Sequence, residues 1–162
     1  IPGIQEHVPG TVFLCAAMQG QGEAEAWVRR LDREGSIRLL PVLEPDDMGE
    51  VFRRAHVSVS PSEHDGTPNT LLEAMACGCF PVAGDLESIR EWITPGENGL
   101  LIDPADPQAL ADAVISALRD PGLRSSAAKR NAALIAERAL FERVMPTAEE
   151  FYCRVVEGDR PP

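Results

Sequence analysis

The strongest constraint on this chain is a repeated exchange between two hydrophobic periods. Thr11 to Ala17, "TVFLCAA", is a short apolar run that suits a buried strand, and then Ala24, Trp27, Val28 and Leu31 recur at helical spacing. Gly35 stands where a left-handed residue would end that helix. "SIRLLPV", from Ser36 to Val42, predicts a second strand. "PDDMGEVFRRA" then predicts an Asp-capped helix with Met48, Val51, Phe52 and Ala55 on one face. "HVSVSPS" reads as a third strand ending at Pro61, a helix follows over about Asn69 to Cys77, and "FPVAG" is a fourth strand stopped by Gly84. Asp85 is expected to cap a helix that turns Leu86, Ile89, Trp92 and Ile93 inward, with Trp27 and Trp92 both read as core. After the turn "PGENG", "LLID" is a last short strand, and "PADP" opens a helix carrying Leu110, Val114, Ala117 and Leu118.

Strands separated by helical stretches of about a dozen residues, with no hairpin connection, define an α/β fold: a parallel sheet covered by helices on both faces. Sites in such sheets lie at the carboxyl ends of strands. The segment that leaves the third strand, "SEHDGTPNTLLEAMACGCFPV", therefore stands where a ligand is expected. The chain divides into residues 1–120, which carry the alternation, and a helical tail over 121–162. That tail ends in an amphipathic segment with Leu140, Val144, Ala148, Phe151 and Val155 on one side, expected to pack on the same domain.

Charge and composition narrow the partners. Fifteen Lys and Arg against 26 Asp and Glu give a net charge of −11, a field that repels nucleic acid and anionic membranes. No apolar run approaches the ~20 residues that span a bilayer, and "IPGIQEHVPG" lacks the layout of a signal peptide, so the expected location is the cytoplasm. The four cysteines fall in apolar contexts and read as buried thiols. Cys77 and Cys79 in "CGC" are too close for the common zinc spacings, and neither His56 nor His64 completes a ligand set, so no metal is expected.

The first-turn amides of a helix starting at Pro68 or Asn69 have no intrahelical partners and carry the positive end of the helix dipole, which attracts phosphate. Gly66 beside them would let a ligand approach the backbone, and no basic residue occurs between Val57 and Gly84 to bind an anion instead. Asp65 and Glu73 cannot bind phosphate, but carboxylates accept paired hydrogen bonds from sugar hydroxyls. Two acids flanking a phosphate-binding helix end describe a site for a nucleotide sugar. A local reading stands beside it: Thr70 and Glu73 have capping-box spacing, and Asp65-Gly66 is a common turn pair.

The run "PSEHDGTPNTLLEAMACGCFPVAGD" closely resembles the signature of retaining glycosyltransferases of family 4, which have the GT-B fold of two Rossmann-like domains facing across a cleft. The likeness spans about Thr11 to Leu118. It implies a Rossmann-like three-layer sandwich with a mostly parallel sheet, the C-terminal, donor-binding half of GT-B. In the family's pattern of two glutamates with seven residues between them, Glu73 takes the second place, whose role is to hold the donor ribose. The first place, which contacts the transferred sugar, falls on Asp65, one methylene shorter. Gly66, Thr67, Pro68, Asn69, Thr70 and Leu71 match the stretch whose amides hold sugar and diphosphate. Leu43 and Glu44 match the region bordering the nucleobase, and His64 could line the pocket. Glu87 and Ser88 replace a frequent glycine pair and are read as capping the following helix with Asp85.

The resemblance implies transfer of a sugar from a nucleoside diphosphate sugar to an acceptor with retention at the anomeric carbon, with no cofactor beyond the donor and no metal. The acceptor-binding N-terminal domain would lie elsewhere in the same protein. The family's first, central strand has no counterpart here, so the chain is expected to be a fragment, inactive alone, whose remaining strands close the gap or borrow a partner. Two other readings share the site: a non-catalytic module that binds a nucleotide sugar or phosphate, and a GT-B nucleotide-sugar epimerase, which the match around "LLEAMACGCFPV" disfavours.

Overall fold

Phe80 to Gly84 is buried at every position and forms the centre of the structure, a computed structural model that describes residues 1–32 and 35–156. In chain order the elements are α1 (Pro2–His7), β1 (Phe13–Cys15), α2 (Gly22–Leu31), β2 (Ile37–Leu39), α3 (Pro45–Arg54), β3 (Val57–Ser60), α4 (Asn69–Ala76), β4 (Phe80–Gly84), α5 (Glu87–Arg90), β5 (Leu100–Ile102), α6 (Pro107–Arg119), α7 (Pro121–Arg138) and α8 (Phe141–Val156). Every strand pair is parallel. Val57 pairs with Phe80 and Ser60 with Ala83, while Val82 pairs with Leu100 and Gly84 with Ile102, giving the order β3-β4-β5. The second ladder joins β1 to β2, with Phe13 opposite Ile37.

The pleat of β4 divides the core. Phe80 and Val82 point to one face, into a cluster with Ile4 of α1, Ile102, and Val114 and Ala117 of α6. Ala83 points to the other, against Leu71 and Met75 of α4, Ile89 and Ile93 around α5, and Ile135 of α7. A third cluster packs Phe52 of α3 against Ala74 and Cys79. Burial pushes the Cys79 thiol up to about 11, and its Sγ donates to the Ala55 carbonyl at 3.4 Å. Layers of helix on both sides of a parallel sheet make this the Rossmann-like α/β sandwich expected from the alternation.

The gap expected beside the family's first strand is not closed. Among the described residues no ladder joins β1 to β3, although Phe13 and Val57 both pack against the cluster built on Phe80 and Val82. Helix α1 is fixed to α6, where Arg119 Nη2 donates to the His7 carbonyl at 2.7 Å.

Several local expectations change. Asp85 does not cap α5: its amide donates to the Ile102 carbonyl at 2.8 Å, prolonging the β4–β5 ladder, so the helix starts only at Glu87 and lasts one turn. The Asp85 carboxylate instead takes both Nε (2.7 Å) and Nη2 (2.9 Å) of Arg90, a hydrogen-bonded pair that holds its carboxyl below the usual range. Glu44, not an aspartate, is the N-cap residue of α3, with Pro45 in the first turn. Trp27 is half exposed because α2 buries none of its residues against the short β1–β2 pair, and Arg30 lies 5.2 Å from its ring centroid. Cys153 is exposed rather than buried.

Asp106 and Asp120 cap α6 and α7 by accepting from amides of the first turn, as Asp before a Pro-led helix should. Helix α7 packs along α4 and buries Ala127, Asn131 and Ile135. Helix α8 follows it, touches α7, and buries no residue; Leu140, Val144, Phe151 and Val155 are all exposed. No helix among the described residues is long and apolar enough to cross a membrane.

Candidate functional site

The site is assembled where β3 ends. Ser60 is its last paired residue, and residues 61–68 then cross the carboxyl edge of the sheet before α4 begins at Asn69. The crossing is close. A Cβ on Gly84, the last residue of β4, would lie 2.3 Å from the Ser62 carbonyl oxygen, so the loop takes this path only over a glycine. Gly66 is different: a Cβ there would meet no atom within 4 Å, and the protein's own packing does not require a glycine.

Helix α4 starts without a side-chain cap. Pro68 is its N-cap residue and is buried; its carbonyl accepts from Leu71 at 3.0 Å and Leu72 at 3.4 Å. The capping box that Thr70 and Glu73 could have formed is therefore not made. The amides of Gly66, Thr67, Asn69 and Thr70 have no acceptor among the described residues, and Pro68 has no N–H to satisfy. Leu71 belongs to the core instead, with its amide engaged and its side chain 3% exposed.

Asp65 and Glu73 are both exposed, and neither carboxylate takes part in a hydrogen bond or ion pair among the described residues. Neither acid is therefore spent on a local amide. One stands in the loop and the other on the second turn of α4, on either side of the free amides. His64 is an exposed loop residue. Leu43 is half-buried and Glu44 exposed, and both lie after β2, at the carboxyl end of a strand of the other ladder. No hydrogen bond connects them to residues 61–68 among the described residues.

What the sequence did not reveal is how the loop is tied down. Ser88 Oγ, on α5, donates to the Asp65 carbonyl at 3.1 Å, and Trp92 Nε1 donates to Thr67 Oγ1 at 3.4 Å. Trp92 itself is held on two further sides. The Arg138 guanidinium of α7 lies 4.6 Å from its ring centroid, and Asn98 Nδ2 donates to its carbonyl at 2.8 Å. Asn98 is locked in turn by buried Asn131: Asn98 Nδ2 donates to Asn131 Oδ1 at 2.9 Å, and Asn131 Nδ2 donates to the Asn98 carbonyl at 3.0 Å. The signals available were a tryptophan and a serine on the segment after β4, both explained equally well by core packing and capping.

The fold is a Rossmann-like parallel α/β sandwich with an open helix N-terminus and, among the described residues, two unspent acids at its carboxyl edge. The sequence model of the glycosyl transferases group 1 matches residues 2–120, and the chain belongs to that family. Over 106 residues it is 34% identical to the O-antigen chain mannosyltransferase B of Escherichia coli, an alignment covering 65% of this chain and 27% of that protein. Its fold superposes on sucrose-phosphate synthase of Thermosynechococcus elongatus with a TM-score of 0.86 at 21% identity, over 96% of this chain and 41% of that one. Against Anabaena HepE, solved in complex with UDP-glucose, the TM-score is 0.72 at 21% identity, over 84% and 39% of the two chains. The chain spans between 19% and 39% of the length of the curated relatives it matches.

Proposed function

We propose that this chain is the donor-binding half of a retaining glycosyltransferase of family 4, which moves a sugar from a nucleoside diphosphate sugar to an acceptor held by another part of the same protein. The observation that carries the proposal is the set of amides at Gly66, Thr67, Asn69 and Thr70 that have no acceptor among the described residues, flanked by two carboxylates that have no partner among them. Backbone N–H groups at a helix N-terminus favour a diphosphate, while acids favour hydroxyls. Glu73 then holds the ribose and Asp65 the transferred sugar, with the diphosphate between them. Leu43 and Glu44 border the nucleobase and His64 lines the pocket.

In this reading the rate comes from electrostatics. As the bond between the anomeric carbon and the diphosphate breaks, negative charge grows on the leaving oxygens, and amides already aimed at them stabilise the transition state more than the ground state. The leaving diphosphate takes the acceptor proton, so neither a general base from this chain nor a metal is needed. That HepE was solved with UDP-glucose makes a uridine donor the first to try.

The test is calorimetric titration of the full-length protein with a panel of nucleoside diphosphates and their sugar conjugates. Glu73→Ala removes a charge-assisted contact of about 1.5–3 kcal/mol, which is about tenfold or more in donor affinity. Because Glu73 is exposed and makes no hydrogen bond or ion pair among the described residues, its loss leaves the melting temperature unchanged. Wild-type donor affinity in that variant would discard the assignment.

A further inference from the structure

We infer that Ser88 and Trp92 are positioning residues that set where the Asp65–Thr67 backbone sits, and hence how the site meets the transferred sugar; the inference rests on the donor-site reading above. The loop crosses from β3 to α4 with few bonds of its own. Its two anchors at this point come from the segment after β4, Ser88 Oγ on the Asp65 carbonyl and Trp92 Nε1 on Thr67 Oγ1. They bracket Gly66. A short Asp side chain reaches a ligand only as far as its backbone allows, so fixing the Asp65 peptide fixes that reach.

The anchor is itself rigid. Trp92 is braced by the Arg138 guanidinium on its ring and by Asn98 on its carbonyl, and the reciprocal pair of Asn98 and Asn131 is buried, at 2% and 0% exposure. A chain of direct contacts thus runs from α7 to the loop. By contrast, Asn69, Thr70 and Glu73 are placed by α4, whose Leu71 and Met75 are in the core, and do not depend on these anchors. The two halves of the ligand should therefore respond differently.

Three single variants of the full-length protein and one double variant test this, the single ones being Trp92→Phe, which keeps a ring for Arg138 but loses the indole N–H; Ser88→Ala; and Ser88→Thr, which keeps the hydroxyl. The expected result is that Trp92→Phe and Ser88→Ala each weaken UDP-glucose binding about three- to tenfold and UDP binding by clearly less, because UDP loses only the Gly66 and Thr67 amides and keeps Asn69, Thr70 and Glu73. Ser88→Thr restores the wild-type ratio. Thr67→Val added to Trp92→Phe should cost no more than Trp92→Phe alone, because both remove the same bond. NMR backbone order parameters of residues 63–67 without ligand should fall in both anchor variants. Equal losses for UDP and UDP-glucose, or unchanged order parameters in the loop, would overturn the positioning role. Failure of the wild-type protein to bind either ligand would remove the donor reading, while the order parameters would still decide whether the anchors fix the loop.

Discussion

Replacing Gly84 with alanine drives β4 into the chain that carries the site. The new Cβ would stand 2.3 Å from the Ser62 carbonyl oxygen and 3.0 Å from Pro104 Cγ, where ordinary contact begins at 3.4 Å. The oxygen belongs to the backbone and cannot rotate away, so residues around Ser62 must retreat by about 1 Å. Overpacking of this kind costs about 1–3 kcal/mol. For a domain of this size, where each kcal/mol is about 2–4 °C, the melting temperature should fall by roughly 2–12 °C. The functional effect should exceed the stability effect, because a displacement of about 1 Å in a positioning loop can reduce turnover on the order of a hundredfold. Gly66→Ala is the matched control: with nothing within 4 Å of its Cβ and no positive φ, it leaves melting unchanged, yet under the proposed reading it weakens donor binding by occupying the ligand's approach. Differential scanning calorimetry and donor titration on both variants read the two effects separately. Wild-type melting and binding in Gly84→Ala would refute the claim that the loop's path over β4 is what this glycine permits.

Two further perturbations follow from the core. Asn131→Ala removes both bonds to Asn98 and leaves the buried Asn98 carbonyl without that donor, which should lower unfolding free energy by about 2–4 kcal/mol in urea denaturation; a loss below about 1 kcal/mol would show that the pair contributes little. Cys79 titrates near 11 when folded against an ordinary 9.0, so above pH 9 the unfolded chain releases its proton first and stability declines as pH rises from 9 towards 11. Cys79→Ala should lose that part of the slope in pH-dependent denaturation, and a thiol reagent should label exposed Cys153 well before Cys79.

Particular residues show why some features were legible and others were not. Phe80, Val82 and Ala83 alternate between two cores, and the surrounding run of apolar residues announces a buried strand without reference to anything distant. Glu73 and Gly66 could be singled out because their neighbours in sequence are also their neighbours in space. Asp85 could not be read correctly, since its local pattern is that of a cap and only the Ile102 carbonyl, on another strand, draws its amide into the ladder. Trp92 packs against the Ile89 and Ile93 cluster as its apolar face implies, but that face looks the same whether the indole N–H ends in the core or on Thr67.

The amino-acid order by itself determined the succession of strands and helices, the parallel α/β class, and the place of the candidate site after β3, because hydrophobic period, proline and glycine act over a few neighbouring residues. Only the tertiary structure decided that the strands form two separate ladders, that α8 keeps its apolar side exposed, and that the site loop is anchored through Ser88 and Trp92. Those outcomes depend on contacts such as Asp65 with Ser88, 23 residues apart, and Asn98 with Asn131, 33 apart, which chain packing brings together and no local pattern encodes.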